Sequence, residues 1–197
     1  MFRSLPAFEI GKTYRIRLST PGAEGIQKFS TDNHQVTVIA SDFVPVVPYK
    51  VDVVTLGIGQ RTDIVVKATG KPTDAVWMHS TLGRSAFDGG CNLIDGILLE
   101  AVAAIYYQSA NTWVPTTVSK VPQAAIDSCD NDALTQSVPY FRITRDPKPS
   151  VTKQSDITFQ SNGKHKLWFM DNSSTLRANY NDPVLLESNH SRFDFPA

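Results

Sequence analysis

Between Lys12 and Tyr107 apolar side chains recur with a period of two, in short runs rich in β-branched and aromatic residues that turn residues interrupt. Tyr14-Arg15-Ile16-Arg17-Leu18 alternates between two faces, Pro21, Gly22 and Gly25 mark a turn, and Ile26 to Phe29 resumes. His34 to Ala40 reads as a strand. Val51 to Leu56 and Thr62 to Ala68 are two more, parted by Gly57-Ile58-Gly59, and Ala75 to Thr81 and Ala101 to Tyr107 complete the set. Roughly seven strands of about five residues predict an all-β Greek-key sandwich or barrel over residues 8–110.

From 111 to 154 the period lapses. Pro115, Pro122, Pro139, Pro147 and Pro149 lie scattered among Ser, Thr, Asp and Gln, which predicts a Pro-rich linker. Beyond it, Asp156 to Phe159 and Lys166 to Met170 are expected to form a hairpin across Asn162-Gly163, and Leu185 to Ala197 trails off. An isolated hairpin is marginal in water, so residues 155–197 read as the truncated start of a second domain. The alternative is that they add strands to the first sandwich.

The 197 residues suffice for one domain or one and a half, and 41% apolar with 19% charged residues describes an ordinary globular chain. Nineteen basic residues balance nineteen acidic ones, which argues against nucleic acid and anionic membranes as partners. No run approaches the roughly 18 apolar residues of a membrane span, and the N-terminus lacks the apolar core of a signal peptide, so nothing in the sequence as written exports it. Asn172-Ser173-Ser174 and Asn189-His190-Ser191 match the glycosylation pattern and are equally read as unmodified surface asparagines.

Candidate chemistry is sparse. A copper or zinc site announces itself as closely spaced His and Cys, whereas His34, His79, His165 and His190 lie far apart in sequence. Cys91 and Cys129, 38 positions apart, fit no CxxC spacing. A disulfide between them would stabilise by roughly 3–4 kcal/mol in chain-entropy models; two buried free thiols are the alternative. Gly57-Ile58-Gly59-Gln60-Arg61 lacks the third glycine and the helix of a nucleotide loop and reads as a tight turn fixed by Arg61 and Asp63. Neither a nucleophile elbow nor an HExxH motif is present.

Several segments are more specific in combination. Gly11 to Leu18, Asp32 to Ala40, Asp42-Phe43-Val44-Pro45-Val46, Leu56 to Asp63 and Lys71 to Met78 resemble, in order and spacing, the second plastocyanin-like (cupredoxin) domain of fungal, ascomycete laccase-like multicopper oxidases. Ala103 to Tyr107 resembles it more loosely. Trp168 to Ser174 and Tyr180 to Leu186 resemble the start of that family's third domain.

The resemblance implies a fold and a role. Complete members oxidise phenols and reduce dioxygen to water, using a type 1 copper in domain three and a trinuclear cluster between domains one and three. The ligands are His-X-His pairs and a His-Cys-His run, all missing from this sequence. The second domain binds no copper; it bridges its neighbouring cupredoxin domains and lines one side of the substrate pocket. Asp42 resembles the acidic pocket residue that accepts the substrate hydroxyl proton, and is otherwise an aspartate opening the turn before Pro45. Cys91 and Cys129 resemble a disulfide closing the loop that leaves the domain. The family is secreted, which suits glycosylation at Asn172 and Asn189.

The expectation is therefore a fragment of a laccase-like oxidase, inactive alone, with no cofactor of its own and copper only in the complete enzyme. A stand-alone cupredoxin-like binding or structural module, or a truncated gene product, is the alternative. Absent neighbouring domains would leave apolar surface exposed.

Overall fold

The alternation becomes two layers of strand. The computed structural model describes residues 7–22, 25–83, 100–110, 114–142, 148, 150–161, 166–170 and 174–175. Its contacts divide the chain into two units, Met1–Ile143 and Thr144–Ala197. The first unit contains β1 (Thr13–Ser19), β2 (Gln27–Thr31), β3 (Val36–Ser41), β4 (Val44–Val51), β5 (Val54–Leu56), β6 (Arg61–Lys67), β7 (Ala75–Leu82), β8 (Glu100–Tyr106) and a short helix α1 (Gln123–Asp127). They form two four-stranded sheets, ordered β1-β6-β3-β4 and β5-β2-β7-β8.

Every strand pairing in this unit is antiparallel. The inward residues of the two sheets meet in one core. Val36, Val38, Ile64 and Val66 come from the first sheet, and Phe29, Val54, Leu56, Val76, Met78 and Ile105 from the second. Each such side chain, once fully buried, contributes about 1.5–3 kcal/mol, which is why a register slip on either sheet is excluded. Phe8 and Tyr107 join the core from outside the strands; Phe8 stacks on Tyr14 with ring centroids 4.0 Å apart.

β4 is the strand that sequence alone does not give. Pro45 and Pro48 argue against a central strand, yet β4 lies at a sheet edge, where proline is tolerated. Its register against β3 jumps between Val38 and Ala40. The backbone freed there pairs elsewhere: Val47 N–H donates to Val138 O at 2.8 Å and Tyr140 N–H to Pro45 O at 2.8 Å. Val51 belongs to β4, so the run read as Val51 to Leu56 contributes only β5.

Residues 114–142, within the stretch expected as a linker, are bonded to the sandwich. Buried Lys28 donates from Nζ to Thr55 Oγ1 at 3.0 Å and Asp130 O at 2.8 Å, and Thr117 bonds to Asp32 and Trp77. Burial pushes the Lys28 ammonium below its ordinary value, with Asp132 and Asp130 acting in the other direction. The second unit holds a three-stranded antiparallel sheet of β9 (Ile157–Ser161), β10 (Lys166–Met170) and β11 (Ser174–Thr175), ordered β11-β10-β9. Thus both strands of the expected hairpin form; its Asn162-Gly163 turn lies outside the described residues. Among the described residues no helix is long and apolar enough to cross a membrane.

Candidate functional site

Asp42 and Phe43 form the two-residue loop joining β3 to β4, with φ of 45° and 71°. Two positive values define a type I′ turn, whose hand matches the strand twist but which favours Asn and Gly. An L-phenylalanine in that conformation costs about 1–2 kcal/mol. The turn is braced by Arg61 at the start of β6. Asp42 N–H donates to Arg61 O at 2.8 Å, and Arg61 N–H donates to Asp42 Oδ1 at 3.0 Å. Arg61 Nη1 lies 3.2 Å from the same oxygen, and the guanidinium stands 4.4 Å over the Phe43 ring.

This corner is exposed, with Phe43 80% accessible. Asp42 therefore has one oxygen committed to the turn and a half-exposed carboxylate. Arg61 also donates to Gly59 O at 2.6 Å, where φ is +75°, so it fixes the Gly57–Gly59 turn as expected. Asp63 does not. It lies on the outward face of β6, bonded by Arg15 Nε at 3.0 Å, with Arg17 Nε at 3.8 Å.

A second constellation, not foreseen, joins His34, Tyr107, Asp32 and His79. Gly70 N–H donates to Tyr107 Oη at 2.9 Å, and Oη lies 2.6 Å from His34 Nε2. His34 Nδ1 lies 2.7 Å from Asp32 O. One tautomer satisfies the whole chain: the phenol donates to Nε2 and Nδ1–H donates to the carbonyl. Burial raises the Tyr107 phenol above its ordinary range, partly offset by the Gly70 bond. His79 sits between carboxylates, Nε2 3.0 Å from Asp32 Oδ1 and Nδ1 2.7 Å from Glu100 Oε1. Asp32 Oδ2 accepts from Thr117 at 2.6 Å. Beside it opens a cavity of about 420 Å³ whose lining includes Ser30, His79, Glu100 and Gln123.

No sequence signal marks this network, because its members come from separate elements: Asp32 and His34 from the turn after β2, His79 from β7 and Tyr107 from just beyond β8. Ser30 faces His79 across β2 and β7, and Glu100 lies two positions from the partner of His79 on β8.

Copper is held by imidazole nitrogen and thiolate. Both nitrogens of His34 and both of His79 are engaged within the protein, and Cys129 is disulfide-bonded. Among the described residues no group of three or more His, Cys, Asp or Glu could hold a metal ion. These residues do not fit a copper site. Cys91, His165, Asn172, His190 and Asn189 lie outside the described residues.

Residues 6–94 match the family model of the multicopper oxidases. Laccase-2 of Botryotinia fuckeliana is 30% identical over 96% of this chain, and laccase-1 of the same fungus is 35% identical over 91%. This chain belongs to the multicopper oxidases. Its fold is the cupredoxin sandwich of that copper-dependent family: the crystal structure of laccase from Botrytis aclada superposes with a TM-score of 0.66 at 29% identity, covering 94% of this chain. The chain spans only about a third of these relatives, 30% of laccase-2, 29% of laccase-1 and 32% of the Botrytis aclada chain.

Proposed function

We propose that this chain is the copper-free middle cupredoxin domain, with the start of the third, of a laccase-type multicopper oxidase that oxidises phenols at the expense of dioxygen. The observation that carries the reading is the engagement of every described imidazole nitrogen and of Cys129 in bonds within the fold. A domain built this way serves by position. It bridges its neighbours and contributes one wall of the pocket, and by itself it transfers no electron from substrate to oxygen.

Within that wall Asp42 is the candidate acceptor for the substrate hydroxyl. A phenol gives up its electron far more readily when its proton can pass to a nearby base. The brace by Arg61 leaves Asp42 half-exposed at a fixed corner, which suits the role. The exposed apolar residues Phe43, Val47, Val138, Tyr140 and Phe141 suit burial against a neighbouring domain. A disulfide at Cys129 suits an exported parent.

Oxygen uptake with a simple phenol, measured for the purified chain and for the complete oxidase side by side, tests the reading. The chain is expected to be inert and the complete protein active; turnover by the chain alone would refute it. In the complete protein, Asp42→Asn is expected to lower kcat/KM for phenols about 10²-fold, the low end of general-base effects, while a non-protic electron donor is oxidised normally. Equal loss for both donors would assign Asp42 to the turn alone.

A further inference from the structure

The two sheets differ sharply in charge. Strands β1, β6, β3 and β4 carry Arg15, Arg17, Lys50, Arg61 and Lys67 against a single carboxylate, Asp63, an excess of four positive charges in a chain that is formally neutral. Among the described strands of the opposing sheet the only Lys or Arg is Lys28, which is buried. The inward positions of the first sheet are apolar apart from Thr62, so its cations stand on the outer face.

The register sets them out. Lys50 pairs with Thr37, Thr37 with Val65 and Val65 with Arg15, so these four residues form one row across the sheet. Strand spacing places the two end cations about 14 Å apart. Arg17 and Lys67 flank the row, each two positions along its strand from Arg15 or Val65. The floor between is Thr37 and Val65, small and without formal charge.

Local carboxylates neutralise only part of the face. Asp63 is shared by Arg15 and Arg17, and Asp42 meets Arg61 at the far corner. Lys50 and Lys67 have no carboxylate partner among the described residues.

We propose that the outer face of the β1-β6-β3-β4 sheet is a docking surface for an acidic polypeptide segment laid across the strands in extended form. Asp63 between two guanidiniums already displays the ligand chemistry, a carboxylate received by charge-assisted bonds. An extended chain advances about 3.3–3.6 Å per residue, so carboxylates four residues apart reach from Arg15 to Lys50. Nucleic acid fits less well. Single strands need aromatic side chains on which bases stack, and the outward positions Thr13, Arg15, Thr37, Lys50, Val65 and Lys67 offer none.

The test is fluorescence anisotropy of the full chain with three labelled probes: a short extended peptide with Glu at every fourth position, its Gln counterpart, and an oligothymidylate of equal charge. Vesicles of phosphatidylglycerol form a fourth arm. The Glu peptide is expected to bind at low salt and dissociate as salt rises, with the other probes at least ~10-fold weaker. Arg17→Glu with Lys50→Glu and Lys67→Glu, all exposed, is expected to weaken it at least ~10-fold. Gln replacements at the same positions serve if circular dichroism finds the reversed variant unfolded. Absence of Glu-peptide binding, indifference to the substitutions, or tighter binding of the oligonucleotide or vesicles would overturn the proposal.

Discussion

Replacing Tyr107 with phenylalanine removes one oxygen and leaves the ring that packs, T-shaped, 6.0 Å from Phe8. That oxygen accepts from Gly70 N–H at 2.9 Å and pairs with His34 Nε2 at 2.6 Å. His34 is buried, so its nitrogen is left unsatisfied at a cost of about 1–3 kcal/mol. Gly70 is half-buried and its N–H can find water, so that bond adds only about 0.5–1 kcal/mol. The expected loss is therefore about 1.5–4 kcal/mol, a large share of the roughly 5–15 kcal/mol that holds a domain together. Urea unfolding followed by circular dichroism reads it as a lower midpoint at unchanged slope. A double-mutant cycle with His34→Leu is expected to give a coupling of about 1–2 kcal/mol, since each substitution removes the same bond. A loss under about 0.5 kcal/mol, or additive effects, would show that the bond adds nothing to the core and refute the reasoning.

Three further outcomes concern Gly70, Lys28 and the cysteines. A Cβ on Gly70 would lie 2.7 Å from Tyr107 Cζ and 2.9 Å from Asp74 Oδ2, so Gly70→Ala is expected to lower stability by about 1–3 kcal/mol, read as a fall in thermal midpoint. Lys28 has its ammonium lowered from 10.5 by burial, so the unfolded chain binds more protons in the pH window between the folded value and 10.5. Its contribution to stability is present above 10.5 and lost as pH falls through the folded value; Lys28→Met should remove this slope, and an unchanged slope in urea midpoints across alkaline pH would contradict the assignment. Peptide mapping without reduction is expected to recover Cys91 joined to Cys129, and a Cys129 adduct with a small thiol would sink that pairing.

Much of the sandwich was legible because period-two alternation and core burial are the same fact seen twice. Tyr14 to Leu18, His34 to Ala40 and Thr62 to Ala68 each point every second residue into one core, and their strands appear within two residues of the expected ends. β4 was hidden because two prolines mask a strand that needs ladder partners on only part of its length. The docking of 114–142 was hidden for a different reason. Its bonds use backbone carbonyls and single side chains such as Lys28 and Asp32, more than 80 residues away, and these leave no local pattern.

The site was less legible than the fold. Asp42 could be named by resemblance, but the positive φ of Phe43 and the brace by Arg61 depend on which strand follows the turn. His34 and His79 look unremarkable in sequence and become a linked pair only when Asp32 accepts from one ring and takes its own carbonyl to the other.

The central claim, a cupredoxin domain whose described histidines are already engaged, is tested most directly by copper loading. The purified chain is incubated with excess copper, desalted, and measured by elemental analysis and visible absorption. Well under one copper per chain and no blue band are expected. One equivalent of copper with an intense thiolate-to-copper absorption would contradict it.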